Sequence, residues 1–152
     1  MQKGMTFIEC TIVLIVLGLI IGIAVPGYQW LIYQEQFKRA FQETYSTVRY
    51  ARMQAITRHQ RVRIRLNDNV YPELTVALFP SGKALKHVRL TRAVALQWKA
   101  FPAVRYLQFD GIGEAKQNGS FLFKNRKTHQ LYKKKIVVSM SGRVRVSNKL
   151  KS

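Results

Sequence analysis

The C-terminal end of the chain carries basic side chains at a spacing suited to binding phosphate groups. Residues 124–152 contain ten basic residues and no acidic ones. If the last stretch is extended, alternate side chains lie on one face. The cations on that face are Arg143, Arg145, Lys149 and Lys151, and the apolar residues on the opposite face are Val144, Val146 and Leu150. Because a guanidinium group can donate two parallel hydrogen bonds to a phosphate, this pattern favours phosphate binding over a merely solvated charged terminus.

Other basic residues add to this segment. Lys133, Lys134 and Lys135 are consecutive on the return strand of a predicted hairpin, and Gly142 directly precedes Arg143. The whole chain has 26 lysines and arginines against 7 aspartates and glutamates, a net charge of +19. Of the basic residues, only Lys3 lies before position 28. A field of this strength indicates an anionic partner such as nucleic acid, anionic lipid or acidic polysaccharide, and the alternative is a role in solubility.

The N-terminal part holds one acidic residue in an otherwise apolar run. From Met5 to Pro26 the only charged side chain is Glu9. As a helix this run would be about 33 Å long, enough to cross a hydrocarbon core of about 30 Å. A carboxylate inside a membrane helix costs about 2.5–3.5 kcal/mol, so Glu9 indicates a partner or a function. The alternative is an acid at the helix start, stabilised by the helix dipole.

The sequence offers little for catalysis or metal binding. The only cysteine is Cys10, so an intrachain disulfide is excluded. The three histidines are scattered and have no cysteine or carboxylate cluster near them, so we expect no metal. No phosphate loop, nucleophile elbow or paired carboxylates stand out, and we therefore expect neither a cofactor nor an enzyme.

The elements that carry these residues are a helix followed by strands. Pro26 and Gly27 should kink or loosen the helix. An apolar stripe of Phe37, Phe41, Val48 and Ala55 then predicts an amphipathic helix ending near Arg58. Alternating or β-rich segments predict strands at Val62–Leu66, Thr75–Phe79, Lys86–Thr91, Val94–Trp98, Tyr106–Phe109, Ser120–Phe123, Leu131–Ser139 and Arg143–Val146. Turns are predicted at residues 67–69, 80–82, 110–111 and 118–119.

One long helix before a strand-only region predicts an α+β fold with the helix packed against antiparallel β-sheet, as a sheet or a β-sandwich.

The N-terminal residues resemble the class III leader of type IV pilins and pseudopilins. The resemblance rests on Lys3-Gly4, on Met5 to Glu9, and on the apolar run that ends at Pro26. It implies that a prepilin peptidase cuts after Gly4 and methylates the amine of Met5. It also implies that Glu9, the fifth mature residue, pairs with the amine of a neighbouring subunit during filament assembly. The family more often has Phe at the position of Met5.

The later chain resembles the FimT/GspH family of minor pilins and pseudopilins, with FimT the closer type. The residues that carry this resemblance are the turn at 110–113 and the segment Ser141-Gly142-Arg143-Val144-Arg145. In FimT proteins a C-terminal Gly-Arg-x-Arg motif is associated with DNA binding in natural transformation. By this resemblance Gly142, Arg143 and Arg145 are DNA-binding residues. Lys149, Lys151 and the lysines at 133–135 join them only as candidates from charge and spacing.

The resemblance also implies an organisation and a location. Residues 1–4 form the leader, residues 5–27 a transmembrane and filament-packing helix, and residues 28–152 a periplasmic α+β domain. The protein is then a single-pass protein of the bacterial inner membrane that enters a surface pilus. Its implied partners are double-stranded DNA, other major and minor pilins, and the prepilin peptidase. The alternative is a structural GspH-like subunit that primes or caps a type IV pilus or a type II secretion pseudopilus.

The leader prediction can be checked by mass. Intact-mass measurement of the protein extracted from bacterial membranes should show the loss of Met1 to Gly4 and the gain of one methyl group. Replacement of Gly4 by a bulky residue provides the control, because it should leave the leader attached. A wild-type protein that keeps its first four residues would contradict the pilin-type leader.

Overall fold

The computed structural model describes residues 7–101, 105–126 and 131–148. The elements, in chain order, are α1 (Phe7–Arg58), β1 (Arg61–Asp68), β2 (Pro72–Phe79), β3 (Ala84–Arg89), β4 (Val94–Phe101), β5 (Tyr106–Phe109), β6 (Asn118–Asn125), β7 (Leu131–Val138) and β8 (Val144–Ser147). The chain divides into two compact units, residues 1–35 and residues 36–152.

The described part of the first unit is helical. Most of its large apolar side chains are exposed, among them Phe7, Leu14 and Ile21. The Thr11 hydroxyl donates a hydrogen bond to the Phe7 carbonyl oxygen at 3.0 Å, which satisfies the side chain within the helix. The helix continues through Pro26 and Gly27. Among the residues that the structure describes, no helix is both long enough and apolar enough to cross a membrane.

The second unit contains two antiparallel four-stranded sheets. Sheet A has the strand order β3-β2-β1-β5, and sheet B has the order β4-β6-β7-β8. Alternation is regular in β2, where Leu74, Val76 and Leu78 are buried and the residues between them are half-buried. One face of each sheet therefore packs on the core while the other faces outward, as period-2 strands require.

The core joins the second half of α1 to the inner faces of both sheets. Small residues on the helix, such as Ala40, Ala51 and Ala55, are buried in this core. An aromatic cluster closes one end of this core. It consists of Phe37 and Phe41 on α1, Phe123 on β6 and Tyr132 on β7. Aromatic pairs of this kind contribute beyond their buried area.

The α+β fold predicted from the sequence is confirmed. The helix ends at Arg58 and its stripe faces the core, with Phe37, Val48 and Ala55 buried. All eight predicted strands are present, with some ends shifted by several residues. Asp68 still pairs with Pro72, so the first turn lies at residues 69–71.

The predicted turn at Asn118 and Gly119 is wrong. Both residues belong to β6, where Gly119 pairs with Ala100 of β4 and Val138 of β7. The Trp98 ring lies over Gly119, and a Cβ atom there would come within 2.2 Å of the ring. A glycine inside a strand marks such a close approach rather than a turn.

We predict that Phe123→Ala lowers the free energy of unfolding by about 3–5 kcal/mol. Phe123 is fully buried and its ring touches Phe37 and Phe41 of α1, so the change leaves a cavity between helix and sheet. Urea unfolding of the full chain in a neutral detergent, followed by tryptophan fluorescence, measures this. Ile112→Ala is the control, since that side chain is 72% exposed and should change stability by less than about 0.5 kcal/mol. Equal effects of the two substitutions would contradict the described core.

Candidate nucleic-acid interface

The hairpin between β7 and β8 places the two arginines of the Gly-Arg-x-Arg segment. The Gly142 amide donates to the Ser139 carbonyl oxygen at 2.9 Å, and the Ser139 amide donates to the Arg143 carbonyl oxygen at 3.1 Å. Gly142 has a φ of 70°. This is a three-residue hairpin loop in which a turn is followed by a left-handed residue, the position that favours glycine. The loop therefore requires glycine directly before Arg143.

Gly142 is also held against a second loop. A Cβ atom on Gly142 would lie 1.8 Å from the carbonyl oxygen of Gly113, so no other residue fits without moving that loop. The Arg52 side chain of α1 donates through Nε to the same Gly113 oxygen at 3.0 Å. Helix, loop and hairpin thus meet at one carbonyl group. Gly142 is buried, so its contribution to the interface is to position its neighbours.

Two further hydrogen bonds fasten the hairpin loop. The Ala115 amide donates to the Met140 carbonyl oxygen at 2.8 Å, and the Met140 amide donates to Oδ1 of Asn118 at 2.6 Å. The facing loop is itself shaped by Asp110, whose carboxylate accepts hydrogen bonds from the amides of Ile112 and Glu114. The two sequence segments that carry the family resemblance are therefore in direct contact.

Arg143 and Arg145 are exposed at the start of β8, the edge strand of sheet B. Arg145 pairs with Val137 of β7, and the hydrogen bond between Ser139 and Arg143 continues the same ladder. The two arginines therefore follow the predicted alternation, two positions apart. In the part of the chain that the structure describes, neither arginine forms an ion pair. Both guanidinium groups are available to an external anion.

The apolar side predicted for this strand is only partly formed. Val144 packs against the core, whereas Val146 is 47% exposed. Val144 and Val146 lie on the face opposite Arg145, as alternation predicts, since they pair with the buried residues Val138 and Ile136 of β7. Lys149, Leu150 and Lys151 lie outside the described residues.

The other predicted site residues are placed less completely. Lys134 is exposed and Lys135 is half-buried on β7, and the side chain of Lys133 lies outside the described side chains. Glu9 is exposed on the first turn of α1. Gly4 and Met5 lie outside the described residues.

The four strands of sheet B carry no acidic residue, although Asp110 and Glu114 lie in the loop that faces the β7–β8 hairpin. The chain has seven, placed on α1, on sheet A or in the loop after β5: Glu9, Glu35, Glu43, Asp68, Glu73, Asp110 and Glu114. Arg126, at the end of β6, is neutralised by Asp68 at 3.2 Å and also donates to the Asn69 carbonyl oxygen. The sequence could not indicate this pair, because its members are 58 residues apart. Arg126 is therefore a structural cation, unlike Arg143 and Arg145.

This architecture is shared with pilin subunits of known structure. The minor pilin FimU of Pseudomonas aeruginosa superposes with a TM-score of 0.62 at 19% identity, over 75% of this chain and 90% of FimU. The minor pseudopilin EpsH of the Vibrio cholerae type II secretion system superposes with a TM-score of 0.61 at 14% identity, over 78% of this chain and 97% of EpsH. At these identities the likeness establishes the fold: a pilin-type helix packed on antiparallel sheets.

The family follows from the sequence match. Residues 40–142, more than half of the chain, match the model of the family described as type II transport protein GspH. The chain belongs to this family, and it is a minor pilin or pseudopilin of the type IV or type II kind. Members of the family are structural, membrane-anchored components that interact with other pilins in a pilus or pseudopilus. A comparison with curated proteins gives no significant match.

We predict that Gly142→Ala destabilises the domain more than Gly82→Ala. Both glycines have φ near 70°, but only at Gly142 does a Cβ atom meet another loop. Both variants lose about 1–3 kcal/mol of stability through backbone strain. Any additional loss in Gly142→Ala measures the steric clash with Gly113. Urea unfolding of both variants measures the difference. Equal losses of stability would mean that the contact with Gly113 does not hold the hairpin.

Proposed function

We propose that this minor pilin binds double-stranded DNA outside the inner membrane and serves DNA uptake in natural transformation. The observation that carries the proposal is the pair of exposed, unpaired guanidinium groups of Arg143 and Arg145 on a fastened hairpin. A rigid hairpin reduces the conformational entropy lost on binding, so two arginines in fixed positions bind phosphates more tightly than the same residues on a mobile segment. The remaining predicted cations, Lys133 to Lys135, Lys149 and Lys151, add phosphate contacts.

The binding is to the sugar–phosphate backbone and is therefore tolerant of sequence and sensitive to salt. Two aromatic residues near the basic segment, Phe123 and Tyr132, are held within the domain and do not stack on bases in this proposal. Phe123 is fully buried, and the Tyr132 ring is stacked on Phe37 with 4.0 Å between ring centres. Both rings support the core, which leaves electrostatic contact with phosphates as the main interaction.

The N-terminal residues provide delivery and assembly. In this proposal the prepilin peptidase cuts between Gly4 and Met5, and residues 5–27 anchor the mature protein in the inner membrane. Glu9 then pairs with the N-terminal amine of a neighbouring subunit as the protein enters the pilus. Residues 28–152 carry the DNA interface in the periplasm and, after assembly, on the pilus.

A second candidate function is that of a structural subunit that primes or caps a filament. The observation in its favour is a groove of about 830 Å³ beside α1, lined by residues that include Arg49, Met53, Ile56, Val144 and also Arg143. Met53 is 62% exposed, although apolar, and an arginine lies beside it. Such a groove suits an acidic partner pilin with apolar side chains. This role requires no free DNA-binding arginines.

Measuring DNA affinity at several salt concentrations distinguishes the DNA-binding function from the structural one. We predict that Arg143→Gln with Arg145→Gln weakens binding of the full chain, in neutral detergent, to a fluorescent DNA duplex. Each lost phosphate contact lowers the slope of log affinity against log salt by about 0.9, so the pair should lower it by about 1.8. At 0.1 M salt this corresponds to a loss of affinity of roughly 60-fold. Fluorescence anisotropy at several salt concentrations measures both quantities.

The control is Arg65→Gln with Lys83→Gln, which removes the same charge from two exposed positions, one on β1 of sheet A and one in the β2–β3 turn. It should change the affinity by only a few-fold through the general field. Equal losses in the two double variants, or no binding by the wild type at low salt, would refute the proposed interface. A normal affinity in the Arg143 and Arg145 variant, together with failed pilus assembly, would favour the structural role.

A further inference from the structure

The pairing of sheet B brings a lysine that is distant in sequence into line with Arg145. Arg145 on β8 pairs with Val137 on β7, Val137 pairs with Ser120 on β6, and Ser120 pairs with Lys99 on β4. Directly paired residues project from the same face of a sheet. This row therefore crosses all four strands, with a cation at each end and a hydroxyl group between them.

The row lies on the outer face of the sheet. On β4, Leu96, three positions before Lys99, is buried, and on β7 the neighbour of Val137, Ile136, is buried, so alternation directs Lys99 and Val137 outward. A shallow groove of about 400 Å³ on this face is lined by residues that include Lys99, Ser120, Lys135 and Val137. Lys135 lies in the next row, beside Val137. The outer face thus carries Lys99, Lys135 and Arg145 on three different strands.

We propose that this outer face is the track for one sugar–phosphate strand of the bound DNA, from Arg145 past Lys135 to Lys99. The inference rests on the proposed DNA binding and extends it to a residue outside the basic C-terminal region. Three steps between paired strands, at about 4.8 Å each, separate the Arg145 and Lys99 backbones by about 14 Å. Each DNA strand carries one phosphate per 3.4 Å of helix axis, so a straight-line separation of about 14 Å lies within the span of a few successive phosphates. The two ends can therefore contact phosphates of the same strand.

Charge distinguishes this face from the outer face of sheet A. There Glu73 lies 3.6 Å from Arg89 and 3.5 Å from His87, so part of the positive charge is offset. The guanidinium group of Arg63 lies between the rings of Phe79 and Tyr106, 4.0 and 4.1 Å from their centres. Arg63 therefore already has cation–π partners within the fold. The four strands of sheet B contain no acidic residue.

The test is Lys99→Gln in the full chain, in neutral detergent, with the same DNA duplex and salt series. We expect binding to weaken roughly eightfold at 0.1 M salt and the salt slope to fall by about 0.9, the effect of one lost phosphate contact. The matched control is Lys83→Gln, which removes the same charge from an exposed lysine in the β2–β3 turn. It should leave the slope within about 0.2 of the wild-type value.

The outcomes distinguish this inference from the proposed function. If the Arg143 and Arg145 double variant loses binding while Lys99→Gln matches Lys83→Gln, the track is wrong and the hairpin site stands. If the double variant keeps full affinity, the proposed function fails and the track fails with it. Normal DNA binding by Lys99→Gln with impaired pilus assembly would assign the face to a protein partner and overturn the inference. Unfolding by urea confirms that each variant is folded before binding is compared.

Discussion

The close approach of Gly142 to the carbonyl oxygen of Gly113 determines where the chain presents its two exposed arginines. That carbonyl group also accepts a hydrogen bond from Arg52, so α1, the loop after β5 and the β7–β8 hairpin share one contact point. Besides this contact, the hairpin loop is fastened by the hydrogen bonds of the Met140 backbone to Ala115 and Asn118. Because of these contacts, Arg143 and Arg145 extend from a surface that the domain core supports. Packing fixes their positions before any ligand binds.

The strong positive charge of the chain has different roles in different places. In the described residues, Arg126 and Arg89 each form an ion pair with one carboxylate. The guanidinium group of Arg63 lies against two aromatic rings. Within the same described residues, Arg143 and Arg145 have no such partners. The net charge of +19 attracts polyanions from a distance, but only unpaired cations held on one surface can form a defined set of phosphate contacts. Sheet B combines those cations with an absence of acidic residues along its strands.

The sequence predicted the helix and the strands well because apolar residues recur at periods of 3.6 and 2 along them, as at Phe37, Val48 and Ala55. It misplaced a turn at Gly119, since the Trp98 ring that requires glycine there comes from another strand. The basic C-terminal segment was visible because its charges are adjacent in sequence. Lys99 was not, since it is a single lysine in an apolar stretch and joins Arg145 only through the register of four strands. Local pattern identifies elements, whereas long-range pairing assembles a surface.

Hydrogen–deuterium exchange of the full chain in detergent, with and without a short DNA duplex, tests the central claim most directly. The central claim is that DNA lies on the β7–β8 hairpin and the outer face of sheet B. The account predicts slower exchange at residues 135–147 and around Lys99, with no change along β1 of sheet A. Protection confined to β1, or spread evenly over all basic segments, would contradict a defined interface built on Arg143 and Arg145.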